Sequence, residues 1–564
     1  MLLPLGQQCR NVVDGAVRFG VVGTCDPRLK PKDAKRARNL VKMVAGKIHG
    51  KVMMPGKTPA TIVYTNVLID GVKSADLVAW QFKEAQVDVI IFVCDTWDFP
   101  GATVEALLAH FPRDMVFFFV CGNSGPKPGV VFTHAANGME AQFGKMSQMV
   151  IGSWPDNGQN VEMTDETTQQ LVHLCQAAVA KVGVKGKRVV VFGHESMWMR
   201  TGMLHILPTL QHFGVQIMQY DMKLLVDLFT RHEYDEDDLN LLVAWIDDEL
   251  GDRRASKGDE EANKRYRDSL AYYLILEKFM EDHNAIGGAF MSQLEWASTP
   301  QCVPLPVLDT AESLFNSTRD HRTAKIPKPF ATETDMQALL TMVFNSYLSA
   351  GEPGLFMDFR KVYEVWELIE LCKQLGYELT PEDAGWMKGF WDGDNSGSGS
   401  FDWAGLPSEG FKQKMARIRT FLADPDYFRG GGDSINFLTP PGVECIVNRL
   451  AYHHPSNSFA MMWDEATTVM PPALVAEAIA NKTTYGWPHT FMQNKHASML
   501  QAKNYTPANH QHASWGIPAR VMRYFLHLSG IKDVHASMWP TIDDDHPPVP
   551  LVKLIAPDGW KHEV

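Results

Sequence analysis

The chain has 564 residues, of which 45% are hydrophobic and 21% charged, with a formal net charge of −13 and a pI near 5.9. That length exceeds what a single hydrophobic core serves, so two to four domains are expected. The acidic balance argues against nucleic acid or an anionic membrane surface as the main partner, and no apolar run is long enough for a membrane span. The first residues lack a charged-then-apolar signal pattern. The eight cysteines are scattered without a C-x-x-C pair, the pattern of buried reduced thiols in a cytoplasmic enzyme. Fifteen Trp, 28 Met and 29 Phe fit either a large core or extensive subunit burial.

Residues 1–172 alternate strand-like and helix-like segments. Val17–Gly23, Val87–Cys94 and Met115–Cys121 read as strands, and Lys32–Ile48, Gly101–Phe111 and Thr164–Val182 as helices. Continuous apolar strands separated by helices predict a doubly wound parallel sheet of Rossmann-like type. A second domain of the same class is predicted over 173–349, with a strand at Val189–Gly193, a helix at Met203–Phe213 and an exposed, charged helical stretch from Asp235 to Lys264. Residues 350–564 predict a mainly β domain with flanking helices, the first helix running from Lys361 to Leu375.

Several motifs are incomplete. Asp392-Gly-Asp394-Asn-Ser396-Gly397 opens like a calcium loop, but its eighth and twelfth positions are Gly399 and Trp403. His194-Glu195 lacks the second His of a zinc-protease helix. The phosphate-binding P-loop, the dinucleotide fingerprint and the serine-hydrolase elbow are all missing. Arg429-Gly-Gly-Gly432 reads first as a tight turn, although glycines also let backbone approach a ligand.

One constellation carries chemistry. Glu333 in Phe330-Ala-Thr-Glu333-Thr-Asp335 precedes the apolar run Ala338–Phe344, and Asp358 follows Leu355-Phe-Met357, 25 residues later. Carboxylates at such positions need a metal, a partner or a proton-transfer task to offset desolvation. His510, in the polar turn Pro507-Ala-Asn-His510-Gln-His512 before an apolar helix at Ile517–Leu528, adds an imidazole. Two carboxylates and one imidazole suit a hard divalent cation. His512 reads as a supporting or helix-capping residue.

These residues resemble the L-fucose isomerase family, aldose–ketose isomerases that also act on D-arabinose. The resemblance covers most of the chain and is stronger in the last 240 residues than in the first 320. Glu333, Asp358 and His510 resemble the family's three metal ligands. Asn395-Ser396-Gly-Ser398 and Tyr427-Phe-Arg-Gly-Gly-Gly432 resemble its substrate loops, with Phe437-Leu-Thr439 in register. Trp487-Pro488 resembles a family Trp-Pro pair, and Gln293 in Ser-Gln-x-x-Trp296 a sugar-binding Gln. Arg10-Asn-Val-Val-Asp14-Gly15 resembles the family opening, and Trp97 falls where the family places a Trp that reaches a neighbouring subunit's site. His194-Glu195 departs from the family's smaller residues.

The resemblance implies conversion of L-fucose to L-fuculose and D-arabinose to D-ribulose through an enediol. Glu333 and Asp358 would relay the proton, and Mn2+, with Mg2+ or Co2+ as substitutes, would be the cofactor. Arg10, Trp97, Gln293, Ser396, Tyr427, Trp487 and Asn509 would bind sugar. It also implies a cytoplasmic homo-hexamer with sites shared between subunits. Two rivals are an arabinose-type isomerase, which uses two Glu and two His, and a sugar-binding relative without turnover.

Overall fold

The computed structural model describes residues 2–4, 15–123, 128–154, 161–253, 258–299, 303–395, 399–483 and 486–560. They fall into two compact units. The first is Met1–Lys185 with Arg520–Gly530, and the second is Gly186–Ala519 with Ile531–Val564.

In the first unit the apolar runs become buried strands of a six-stranded parallel sheet. Its order is Leu2–Pro4, Thr61–Ile69, Arg18–Thr24, Val89–Cys94, Val116–Gly122 and Ser147–Gly152. Both faces of such a sheet are dry, which is why Val89–Cys94 carries no polar alternation. The helix Pro31–Ile48 starts on a proline and buries Ala37, Leu40, Val41, Val44 and Ile48, a stripe at helical spacing. The helix Asp165–Gly183 spans residue 172 and ends just before the unit's limit at Lys185.

The second unit opens with a four-stranded parallel sheet in the order Gln216–Tyr220, Arg188–Phe192, Ala285–Phe290 and Phe330–Ala331. Within the charged stretch Glu236–Glu249 and the start of Glu260–Asp282 are helical, and acids cap both helices. Asp235 accepts from the amides of Asp237 and Asp238, and Asp259 accepts from that of Ala262.

From Gly354 the chain builds a closed antiparallel barrel. Its order is Glu444–His453, His510–Ser514, Gly354–Tyr363, Phe390–Asp394, His489–Asn494 and Ser458–Thr468, and the last strand pairs with the first. Lys532–His535 joins Ser458–Thr468 in parallel. Closure removes both sheet edges. Two expectations are corrected. The predicted helix from Lys361 begins only at Val365, because the strand runs to Tyr363 and Glu364 with Glu367 caps the helix. The polar turn around His510 is the start of a buried strand, because Gln511 and Ser514 lie in barrel ladders instead of in solvent.

The described residues contain six free cysteines, all buried. Among them no helix is long and apolar enough to cross a membrane. The calcium-like loop begins in a barrel strand, where the buried Asp392 lies 3.1 Å from His489 Nδ1.

One buried acid sets a pH dependence of stability. Asp309 opens the helix Asp309–Phe315 at 3% exposure. Burial pushes its carboxyl up from 3.8 to about 7, against the lowering effect of Ser434. The folded state thus holds a proton that the unfolded chain releases, so this contribution to stability is lost as pH rises from about 4 to about 7. Asp309→Asn removes that loss. Thermal midpoints at pH 5 and pH 8 are expected to show the variant gaining on the parent at the higher pH.

Candidate active site

Glu333 sits just past the carboxyl end of the short strand Phe330–Ala331, where ligand crevices of parallel sheets lie. It is strained. Glu333 and Thr334 have φ of 59° and 53°, a region that side-chain-bearing residues rarely enter outside functional turns. Neighbouring strand ends hold the turn. The Glu333 amide donates to Ser292 Oγ at 3.1 Å, Ser292 Oγ lies 2.7 Å from Thr332 Oγ1, and Thr334 Oγ1 donates to the Phe192 carbonyl at 3.2 Å.

The barrel supplies the other two groups. Asp358 on the strand Gly354–Tyr363 stands directly opposite His510 in the antiparallel ladder. Directly opposed side chains project from the same face of a sheet. Asp358 Oδ2 accepts from Asn395 Nδ2 at 2.9 Å and Oδ1 from Asn509 Nδ2 at 3.0 Å. Two amides thus fix its orientation while it stays 24% exposed.

His510 is 1% exposed, and its Nδ1 lies 2.7 Å from Asp335 Oδ2. Asp335 also accepts Arg449 Nη1 at 2.7 Å and Nη2 at 3.0 Å, and it caps the helix Met336–Leu348 through the Ala338 amide at 2.8 Å. Burial opposes ionisation of Asp335. The Arg449 charge and the His510 bond outweigh it and hold the carboxyl well below the usual range.

With Nδ1 committed to Asp335, Nε2 faces outward. It lies 3.1 Å from Glu333 Oε2 and 3.5 Å from Asp358 Oδ1, aligned for a hydrogen bond to neither. Burial works against a protonated ring, but the bond to Asp335 and the neighbouring carboxylates outweigh it and push His510 up to about 10. Glu333 is raised, mainly by burial and further by Asp358 and Asp335, against the lowering effect of His510. The donor set therefore fits a divalent cation. An imidazole nitrogen and two carboxylate oxygens converge, and three acids against the single Arg449 leave two negative charges for one such ion.

Asn509 thus joins Glu333, Asp358 and His510 in one cluster. Gln293 follows Ser292 with φ of 77°, in the turn that holds Glu333. Tyr427 and Trp487 belong to a separate group. Ser298 Oγ donates to the Tyr427 carbonyl, Phe428 packs edge-on against Trp487 at 6.3 Å, and Tyr427 is 68% exposed. Gly430 beside them packs on backbone: a Cβ there would come within 1.8 Å of the Leu305 carbonyl oxygen. Trp97 follows the strand Val89–Cys94 in the first unit and packs edge-on to Phe132. Arg10 and Ser396 lie outside the described residues. His512 is buried and faces the Asn448 carbonyl at 3.2 Å, and burial beside the Arg449 charge holds its pKa well down.

Three supporting residues escaped the sequence reading. Asn395 lay within the recognised loop, and Asp335 within the recognised segment. Arg449 left one trace, a lone cation inside the apolar strand Cys445–Tyr452. Removing it leaves Asp335 buried without its counter-ion. Arg449→Met is expected to cost about 3–5 kcal/mol, read as a lowered urea midpoint with the secondary structure retained.

Known proteins give the same direction. Residues 16–186 match the family model described as L-fucose isomerase, first N-terminal domain, and residues 187–350 match that of the second N-terminal domain. The L-fucose isomerase of Vibrio vulnificus is 23% identical, over 84% of this chain and 84% of its own. That of Streptococcus pneumoniae is 24% identical over 88% and 90%, and that of Escherichia coli is 24% identical over 90% and 87%. The two matched domains span more than half of the sequence, and the chain belongs to the L-fucose isomerase family.

Proposed function

We propose that this chain is a metal-dependent aldose–ketose isomerase that converts L-fucose to L-fuculose and D-arabinose to D-ribulose. The convergence of Glu333, Asp358 and the His510 Nε2 edge at the carboxyl end of a parallel sheet is the observation that carries this reading. Family membership supports the reaction class, and the names of the relatives support L-fucose as substrate. Glu333, Asp358 and His510 would hold Mn2+, or Mg2+ or Co2+ in its place. Bound there, the ion would act as a Lewis acid toward the sugar's C1 and C2 oxygens, worth several kcal/mol to the negative charge that develops on them.

The proton work falls to the chain's own carboxylates. Isomerisation takes a proton from C2 of the aldose, passes through an enediol, and returns a proton to C1. Glu333 is buried and its pKa is raised, which brings it nearer the working pH and suits it to giving as well as taking a proton. Asp358, steered by Asn395 and Asn509, stands beside it as the second carboxylate. Asn509, Gln293, Ser396 and Tyr427 supply groups to read hydroxyl orientation, and Trp487 a flat face for the sugar's C–H side. With the ion bound, Asp335 would keep the proton of His510 on Nδ1 and so leave the Nε2 lone pair to the metal.

The decisive experiment is an isomerase assay over L-fucose and the eight aldopentoses, with and without Mn2+. Turnover is expected on L-fucose and D-arabinose, to be lost on chelation and restored by Mn2+. Glu333→Gln and Asp358→Asn should each lower kcat by at least about 10²- to 10⁴-fold. Near-normal turnover by Glu333→Gln with metal present would remove the assigned role. Asp335→Asn is expected to keep the fold and weaken Mn2+ binding by about 10- to 100-fold, measured by equilibrium dialysis.

A further inference from the structure

A second group of metal-binding side chains lies elsewhere on the barrel and shares no residue with the first. One ligand atom from each of Asp464, His496 and His535 falls within 4.8 Å of the others. The three come from separate segments: the barrel strand Ser458–Thr468, the loop after the strand His489–Asn494, and the end of the added strand Lys532–His535. Register brings two of them together, since Trp463, next to Asp464, is the ladder partner of His535.

Asp464 is 1% exposed, and its two oxygens are used differently. Oδ2 accepts from Asn494 Nδ2 at 3.0 Å, the His496 amide at 3.2 Å and the Ala497 amide at 2.9 Å. Oδ1 accepts only the Glu465 amide at 2.8 Å and faces both imidazoles, with His496 Nδ1 at 3.4 Å and His535 Nε2 at 3.9 Å. Those separations are longer than a good N–H···O bond of about 2.7–3.2 Å. They match ligands of one ion with bonds of about 2.0–2.2 Å, once the rings close in by a few tenths of an ångström.

The far side of the His535 ring is engaged. Nδ1 accepts the Ser537 amide at 3.2 Å and lies 2.6 Å from Ser537 Oγ, and the ring packs 4.3 Å from that of Trp463, which turns Nε2 toward Asp464. To hold an ion on Nε2 the ring would carry its proton on Nδ1 and donate it to Ser537 Oγ. His496 has its Nδ1 on the Asp464 side, and its Nε2 lies 3.8 Å from Glu465 Oε2, beyond hydrogen-bond reach. The two imidazoles meet edge to face at 4.7 Å. His535 is 2% exposed and His496 27%, so the group is supported from within and open to solvent on one side. Glu465 in turn pairs with Lys495 at 3.0 Å.

We propose that Asp464, His496 and His535 form a second, structural metal site for a borderline divalent cation of the Zn2+ class, which pins the strand Lys532–His535 to the barrel. Two imidazoles and one carboxylate select Zn2+, Co2+ or Ni2+ over Mg2+, whereas the acid-rich first site suits harder ions. The bound ion crosslinks residues 464, 496 and 535 and stabilises the folded chain by mass action.

The test counts zinc on the full-length protein, stripped of metal and dialysed against Zn2+ alone. His510→Ala, blind at the first site, is expected to keep one zinc per chain. The double variant His510→Ala/His496→Ala should lose it, with affinity at least 100-fold lower. His496 is the outermost of the three, so His496→Ala alone should fold, keep its isomerase rate within about twofold, and bind one zinc fewer than the parent. Zn2+ but not Mg2+ should raise the parent's thermal midpoint by several degrees, and His496→Ala should lose that rise. Equal zinc content in the parent and His496→Ala, or none in a folded His510→Ala, would overturn the proposal. The zinc count is independent of turnover, so it stands or falls separately from the isomerase reading.

Discussion

The carboxylate of Asp335 is the point on which the catalytic end of the second unit turns. Four donors saturate it: two guanidinium nitrogens of Arg449, the Nδ1 edge of His510 and the amide of Ala338. A buried ion pair alone is weak evidence of stability, because desolvation offsets attraction. Here the pair also caps a helix, joins the parallel-sheet region to two barrel strands and selects the tautomer of an imidazole. Its value lies in orientation. Without Asp335 the ring has no reason to present Nε2 to Glu333 and Asp358.

Two architectures meet at the site, and each contributes what the other lacks. The parallel sheet ends in short turns that tolerate strain, and one of them holds Glu333 in a left-handed conformation under three side-chain hydroxyls. The barrel contributes rigid register, setting Asp358 opposite His510 with no loop between them. The result is a cluster rich in negative charge and closed on its inner side. Such a cluster is costly until a cation or a proton occupies it, and the elevated pKa of His510 is the cation-free form of that statement.

Two clusters of acids and imidazoles in the second unit differ in character. The acid-rich group depends on Asp335 to orient its single imidazole. In the imidazole-rich group Ser537 and Trp463 orient His535. In each group one histidine has its Nδ1 engaged, His510 by Asp335 and His535 by Ser537, and its Nε2 edge faces the acids.

Much of this was legible in the residues alone. Apolar runs separated by helical patterns marked the parallel sheets, because strands buried on both faces must be continuously apolar. Glu333 and Asp358 stood out as acids among core residues, and His510 as an imidazole in a polar stretch before an apolar helix. Only the tertiary structure decided the rest. Closure of the barrel has no local signal, since a strand reads the same in an open sheet as in a closed one. The segment around His510 reads as a polar turn because Asn509, His510 and His512 find their partners 151, 175 and 64 residues away in sequence. Asp335 and Arg449 are ordinary residues in sequence, 114 positions apart, and their meaning comes from a contact that only folding makes. Local composition specified which segments bury and in what form, and long-range pairing specified which polar groups meet inside.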